Sequence, residues 1–417
     1  MRWLLLALVL LFARPVEAHL TPNSEVQIDF GQREAQVDVI IPLGEYGYAT
    51  GNPIDHSARS LDMARAFLTS RIRVTSPDGK PWTIAIESIE FVQIAGPPDL
   101  HAILRITPPP GETARRMTIV WNAVIDTVPS HFVLFVARSD FSAGKLNDSR
   151  EVLGALQGPR RTLAIDRGDG RALKGLSAAI SLGMEHIAEG HDHLLFLIAL
   201  LLPAPLLAAS GAWGGPRQPR DAVRKLALIV TAFTVGHSIT LIGAAFFGWQ
   251  LPAPPVEIGI AISILVSAIH AWRPIFPGRE PVVAAGFGLV HGLAFATVVS
   301  RFGLGIGEKA ASILGFNLGI EIVQLMVVIA IMPLLIMLSR TRWYPYFRKV
   351  GAGFAGIAAT AWIVERVSGT PNPLAETIDA GLNHSLWLAG ALVVLTLVAL
   401  KYGRDRPDEV GTLPFAS

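Results

Sequence analysis

A hydrophobic stretch near the middle of the chain, residues 177–202, carries three carboxylates and three imidazoles within an otherwise apolar membrane-spanning pattern. An ionised carboxylate at the centre of a bilayer costs about 2.5–3.5 kcal/mol on insertion scales, so each needs a partner, a proton or an ion. Alternating carboxylates and imidazoles predict a bound metal. The six residues are Glu185, His186, Glu189, His191, Asp192 and His193.

Three further apolar segments place polar side chains at a similar predicted depth in the bilayer. In the stretch at residues 177–202, His186, Glu189 and His193 have i, i+3, i+7 spacing, which puts them on one face of a continuous helix. A later segment gives Asn317, Glu321 and Gln324 the same kind of shared face. With His237 and His291 from two other segments, these groups form one predicted layer. The simpler alternative is that they only hydrogen-bond between helices.

The donor types in this layer indicate which ions it suits. Imidazole binds nickel, cobalt, copper or zinc, whereas magnesium and calcium prefer oxygen ligands and would leave the histidines unexplained. The chain contains no cysteine, which excludes thiolate ligands, disulfides and a cysteine nucleophile. The predicted bound ion or substrate is therefore a divalent transition metal held by His, Asp or Glu.

Composition predicts a two-part protein. Of 417 residues, 51% are hydrophobic and 16% charged, and the mean hydropathy is +0.46. A chain with these values is too apolar to be one soluble domain and too polar to lie wholly in the membrane. The net charge of +2 comes without a basic block or a basic-aromatic motif, so we expect no nucleic-acid partner. The expected partners are the lipid bilayer and a metal ion.

The first 18 residues have a short basic start, an apolar core and a small residue, Ala18, at a plausible cleavage point. This pattern predicts a signal peptide over residues 1–18 and an N-terminal domain outside the cytoplasm. After cleavage His19 would be the first residue. Its α-amine and imidazole then have the chemistry to chelate a metal with His56, His101 or His131, although chance cleavage at this position is the simpler explanation.

Residues 19–165 show short apolar-polar alternation interrupted by Pro and Gly, which predicts a β-sandwich. Residues 60–68 have helical spacing inside it. A basic, Gly-rich linker over residues 166–176 precedes the apolar spans. A protein partner for this extracytoplasmic domain is a further expectation.

Beyond the linker, residues 177–402 contain seven apolar spans of about bilayer length, followed by a tail at 403–417. Most lysines and arginines of this region lie in alternate connections, while the opposite connections hold only Arg301, Lys309 and Arg366. This asymmetry predicts an inner-membrane protein with a cytoplasmic C-terminus. The spans are residues 177–202, 225–247, 256–272, 282–300, 310–338, 350–367 and 385–401.

The strings EHIAEGHDHLLFLIALLL, FTVGHSITL, VHGLAFA and GFNLGIEIVQL resemble the membrane core of the HupE/UreJ family of hydrogenase and urease accessory proteins. The resemblance implies a nickel permease, here in a long form with an N-terminal extracytoplasmic domain. It implies a metal path through His186, Asp192, His193, His237, His291, Asn317 and Glu321. Glu189, which shares the predicted face of His186 and His193, completes the set of candidate ligands.

A weak repeat relates AFTVGHSITL to GFGLVHGLAF, with Phe233 and His237 matching Phe287 and His291. Both segments run outward in the predicted topology. The pattern therefore predicts a parallel repeat with a binding crevice between its halves.

Three classes of function fit these residues. The first is a permease for nickel, cobalt or a similar ion, with movement down a gradient or coupled to protons, because the chain has no Walker motif. The second is an intramembrane zinc hydrolase acting on lipid, since three histidines and a carboxylate also suit catalytic zinc. The third is a metal-binding sensor or assembly factor. The balance of residues favours transport over an enzyme.

Overall fold

The computed structural model describes residues 23–93, 98–146, 150–249, 251–300, 304–382 and 385–402. The chain forms two compact units that divide between Lys174 and Gly175. The predicted signal peptide and His19 lie outside the described residues, so both stay predictions. The two units are described separately below.

The first unit is rich in β-structure, as predicted. A six-stranded sheet has the order β4-β5-β2-β1-β7-β8, and a second sheet has the order β3-β6-β9. Strands β1 and β7 are parallel, and the other pairs are antiparallel. The strands are β1 (Ser24–Phe30), β2 (Ala35–Pro42), β3 (Ile72–Thr75), β4 (Thr83–Val92), β5 (Asp99–Thr107), β6 (Arg116–Trp121), β7 (Phe132–Asp140), β8 (Glu151–Gln157) and β9 (Thr162–Asp166).

Period-two alternation places the apolar side chains of both sheets in one core. In β2, Val37, Val39 and Ile41 are buried, while Asp38 points to the other face. The same hydrophobic cluster includes Ile119 from the three-stranded sheet. Face-to-face packing as a sandwich stays a prediction.

Two helices interrupt the strands of this unit, α1 (Leu43–Thr50) and α2 (Ala58–Arg71). The Ser57 hydroxyl accepts a hydrogen bond from the Ser60 amide and so caps α2. The buried face of α2 includes Ala64 and Leu68. The helix predicted at residues 60–68 is therefore confirmed and extends further at both ends.

Charged and polar groups buried in the β-rich unit are paired. Arg115, 4% exposed, donates two hydrogen bonds to fully buried Asp140 at 2.6 and 3.1 Å, and Arg167 donates a third at 2.9 Å. The ring of buried His131 lies 2.7 Å from the Ser24 hydroxyl and 3.5 Å from Glu45. This part of the protein satisfies its interior polar atoms with protein partners.

The second unit is helical. Four of its helices are long and apolar enough to cross a membrane: Pro219–Phe247, Ala253–Trp272, Ile306–Ser339 and Tyr344–Ser368. Shorter apolar helical segments occur at His191–Leu201, Glu280–Phe295 and Gly390–Tyr402. A helical membrane domain is therefore supported, while the count of seven spans stays a prediction.

The helices follow the predicted apolar segments closely. A short hairpin, β10 (Leu206–Ala209) and β11 (Ala212–Pro216), connects the second of them to the third. The helices are α3 (Ala172–Glu189), α4 (His191–Leu201), α5 (Pro219–Phe247), α6 (Ala253–Trp272), α7 (Glu280–Ser300), α8 (Ile306–Ser339), α9 (Tyr344–Ser368), α10 (Pro373–Leu382) and α11 (Ser385–Tyr402).

Candidate metal site

The first predicted span is two helices rather than one. Helix α3 ends at Glu189 and α4 begins at His191, because Gly190 leaves the helical conformation with φ −77° and ψ 94°. A Cβ at position 190 would lie 2.8 Å from the His186 carbonyl oxygen and 2.8 Å from Nδ1 of His193. The prediction of a continuous helix is wrong here, and the i, i+3, i+7 face does not run through the break.

The break brings together four histidines from four helices, which we call the histidine cluster: His186, His193, His237 and His291. The ring centroids of His186 and His193 are 4.8 Å apart, and those of His193 and His291 are also 4.8 Å apart. The ring of His237 lies 6.4 Å from that of His186. His237 and His291 are completely buried and His193 is 5% exposed.

In three members of the cluster, one ring nitrogen faces a protein acceptor. Nδ1 of His193 lies 2.9 Å from the Asp192 carboxylate, which also accepts the His193 amide at 2.8 Å. Nδ1 of His237 lies 3.3 Å from the Asn317 side-chain oxygen. The Asn317 amide nitrogen donates to the Ile313 carbonyl, which fixes the oxygen as the acceptor for His237.

His291 has the opposite orientation. Its Nε2 lies 3.0 Å from the Ser263 hydroxyl. Because that hydroxyl donates to the Ile260 carbonyl, it accepts from His291. Nδ1 of His291 is then the nitrogen with the lone pair.

Four other ring nitrogens of the cluster are buried without a hydrogen-bond partner. They are Nε2 of His186, His193 and His237 and Nδ1 of His291. A buried polar atom without a partner normally costs about 1–3 kcal/mol. A neutral imidazole held through one nitrogen, with a lone pair on the other, is how proteins present histidine to a metal.

Aromatic rings surround the cluster. Phe316 and Phe295 stack on each other and lie 5.4 and 5.0 Å from the ring of His186. Phe233 lies 5.1 Å from His291 and 6.4 Å from His193. These rings exclude water, which strengthens any electrostatic interaction of the imidazole nitrogens.

Two of the predicted ligands lie apart from this arrangement. Glu189 is exposed at the end of α3. Glu321 is partly buried on α8 and accepts a hydrogen bond from Thr231 at 3.1 Å. The structure therefore brings together His186, Asp192, His193, His237, His291 and Asn317, and leaves the two glutamates outside. Among the described residues, no group of three or more histidine or carboxylate side chains is arranged to hold a metal ion as it stands.

Two polar features near the cluster were not predicted. Ser263 orients His291, and the only sequence signal for it is a hydroxyl in an apolar helix, a position where serine commonly bonds its own backbone. In the last turn of α6, buried His270 lies 3.6 Å from Glu280, which accepts from Lys225 at 2.5 Å.

Most of the helical unit, together with strand β9 before it, matches a known family model. Residues 162–366 match the HupE / UreJ protein family. Residues 162–366 belong to the HupE/UreJ family. No curated protein and no solved structure matches the chain. The family region contains every member of the histidine cluster together with Asp192, Asn317 and Ser263. With the four long apolar helices, it identifies a multi-pass membrane protein.

Proposed function

We propose that this HupE/UreJ protein is a permease for a divalent transition metal such as nickel or cobalt. The proposal is supported by the histidine cluster, whose buried lone-pair nitrogens have no partner in the protein. Nickel, cobalt, copper and zinc all bind imidazole, so the donor type fits the whole group of ions. In this proposal the metal is the substrate.

The break in the first span supports transport because it places a carboxylate at the start of a helix within the span. Transporters commonly bind their substrates at the midplane, between discontinuous helices whose freed backbone and polar side chains face the site. Here Asp192 lies in the first turn of α4, where the helix dipole favours a carboxylate. Its bond to Nδ1 of His193 leaves Nε2, which is buried without a protein partner, for the metal.

The proposal includes the predicted membrane topology. Seven spans with an extracytoplasmic N-terminal domain and a cytoplasmic C-terminus fit the distribution of lysine and arginine. The N-terminal domain is a β-sandwich in this proposal. In that arrangement the β-rich domain faces the source of the metal, after removal of residues 1–18. A protein partner of that domain belongs to the same proposal.

The test is metal uptake into sealed proteoliposomes, with nickel, cobalt, copper and zinc compared side by side. A His186→Ala/His193→Ala double variant removes two members of the cluster. Thr360→Ala/Ser368→Ala is the matched control, because both side chains are exposed in the helical unit and away from the histidine cluster. We expect saturable uptake by the wild type and the control, and a loss of at least tenfold in the double variant.

Two results would contradict the proposal. Tight metal binding without uptake would favour the intramembrane hydrolase or the assembly factor, and lipid turnover by the zinc-loaded protein would then separate those two. Equal uptake by the double variant and the wild type would remove the histidine cluster from the path.

A further inference from the structure

Two pairs of helices in the family region pack in the same way. In the pair α3–α8, a Cβ on Gly183 would lie 2.0 Å from the Phe316 carbonyl oxygen, and one on Gly319 would lie 2.1 Å from that of Ile180. Such distances require glycine, because no Cβ approaches a backbone oxygen this closely. The two backbones are therefore in direct contact through a glycine from each helix.

The pair α5–α7 repeats these contacts. A Cβ on Gly288 would lie 2.1 Å from the Phe233 carbonyl oxygen, and one on Gly236 would lie 2.0 Å from that of Ala285. In each pair one glycine, Gly183 or Gly288, packs against a phenylalanine carbonyl of the partner helix. The phenylalanine lies three residues before the partner's own glycine in both cases. The two pairs thus share one contact pattern.

The sequence follows the same correspondence. Residues 233–236 are Phe-Thr-Val-Gly and residues 316–319 are Phe-Asn-Leu-Gly. In the other two helices, Gly183 precedes His186 by three residues, and Gly288 precedes His291 by three residues. Helix α3 therefore corresponds to α7, and α8 corresponds to α5. This differs from the predicted parallel repeat, which matched α5 with α7, since those two helices are packing partners.

The direction of the helices shows how the two pairs are related. Between α5 and α8, His237 contacts Asn317 and Thr234 contacts Gln324, so the two helices run antiparallel. Within α5–α7 the helices run parallel, because Gly236 meets Ala285 while Gly292 meets Thr240. Within α3–α8 they also run parallel, because Gly315 meets Leu176 while Gly319 meets Met184. The α3–α8 pair therefore runs opposite to the α5–α7 pair, as in inverted-topology repeats.

His193 occupies a special position in this arrangement. It lies on α4, outside both pairs, and its ring is 4.8 Å from the ring of His186 and 4.8 Å from the ring of His291. The aromatic neighbours match as well: Phe316 lies 5.4 Å from His186, and Phe233 lies 5.1 Å from His291. His193 is thus equidistant from two histidines at matching positions of the two helix pairs.

We infer that α3–α8 and α5–α7 form an inverted repeat whose two equivalent metal half-sites, His186–His193 and His193–His291, share His193. This inference rests on the proposed function and deepens it. Each half-site offers two imidazole nitrogens, and an ion moves between them by exchanging His186 for His291 while His193 stays bound. Because the repeat halves are inverted, one half-site belongs to each side of the membrane.

The test is equilibrium binding of cobalt(II) and nickel(II) by the purified full-length protein, followed by the electronic absorption of the bound ion. Three positions are changed separately, as His186→Gln, His291→Gln and His193→Gln, with alanine at the same positions as a second set. Glutamine keeps the size of the side chain and so preserves packing. Thermal unfolding of each variant in metal-free buffer shows that it is folded.

Two equivalent half-sites predict a particular pattern of affinities. His186→Gln and His291→Gln each leave one half-site, so we expect both to weaken binding equally, by about twofold to tenfold. His193→Gln removes the shared ligand and should weaken binding by more than a hundredfold. The His186→Gln/His291→Gln double variant should match His193→Gln.

Other patterns overturn the inference. If His291→Gln binds like the wild type while His186→Gln loses the ion, only one site exists, built on α3 and α4. Unequal weakening by the two outer variants would also refute equivalence. A wild type that binds metal with the expected pattern yet fails to transport it would contradict the proposed function and leave the shared half-sites standing.

Discussion

The two units of this protein differ in whether their buried polar groups have hydrogen-bond partners. In the described part of the β-rich unit, no buried side-chain nitrogen or oxygen lacks a hydrogen-bond partner. Asp140, for example, is fully buried and accepts from both Arg115 and Arg167. In the helical unit, each member of the histidine cluster has a buried nitrogen without a partner.

The difference separates a structural role from a binding role. A buried polar atom that already has a protein partner contributes to stability and has little left to offer a ligand. An imidazole held on one side and open on the other lowers stability until something binds to it. The comparison therefore points to the helical unit, rather than the β-rich unit, as the place where the protein binds its ligand.

The largest expected effect comes from breaking a buried ion pair of the β-rich unit. Asp140→Ala leaves the guanidinium of 4% exposed Arg115 without its carboxylate, so we expect the opening free energy of β7 to fall by about 3–5 kcal/mol. Asp169→Ala is the matched control, because Asp169 is 94% exposed and pairs with exposed Arg116. Its effect should be below about 1 kcal/mol. Native-state hydrogen exchange of the full-length protein measures both, and equal effects would refute the distinction.

An intermediate effect comes from removing one histidine of each unit. His131→Leu removes the partner of Ser24 and of Glu45, and we expect it to destabilise the β-rich unit by about 1–3 kcal/mol. His186→Leu removes a buried nitrogen that has no partner, so it should leave stability unchanged or raise it by up to about 1 kcal/mol. Hydrogen exchange in metal-free buffer compares the two. A clear loss of stability in His186→Leu would show that this histidine is structural.

The smallest expected effect is a pH dependence of the β-rich unit. The hydrogen bond to Asp38 raises the pKa of His101 above its ordinary value of 6.5, against the opposing effect of burial. A raised folded-state pKa stabilises the fold fully below about pH 6.5, and this contribution disappears as pH rises through the folded pKa. Burial lowers the pKa of His131, so the contribution of His131 to stability falls as pH drops below 6.5.

The effect of His101 alone therefore requires a difference measurement. His101→Gln should lose about 1 kcal/mol or less relative to the wild type at pH 5.5, and the two should converge above pH 8. Exchange rates of β2 and β5 amides, corrected for the intrinsic effect of pH, supply the comparison. A difference that grows with rising pH would contradict the assignment to His101.

Much of the architecture was readable from the sequence because it depends on periodicity. Alternation gave the β-rich region, and helical spacing gave the helix around residues 60–68. The apolar segments predicted at residues 225–247 and 256–272 lie within α5 and α6. These patterns are local, so no knowledge of tertiary contacts is needed to read them.

The candidate site was harder to predict because it depends on a local exception and on tertiary contacts. Gly190 lies in a pattern that continues with helical spacing on both sides, and a single glycine does not by itself end a helix. The predicted face of His186, Glu189 and His193 assumed that continuity, and the structure leaves Glu189 exposed. The predicted repeat matched α5 with α7 on a shared Phe-x-x-x-His spacing, whereas the glycine contacts between helices match α3 with α7 and are visible only in three dimensions.

The interruption at Gly190 also bears on how the protein is made. Helix α4 has 11 residues and is about 16 Å long, roughly half the thickness of the hydrocarbon core. A helix of that length does not cross the core by itself, and its first turn carries His193. The rings around His193 come from other helices: His186 on α3, Phe233 on α5 and His291 on α7. The histidine cluster is therefore complete only after the chain has been synthesised as far as α7.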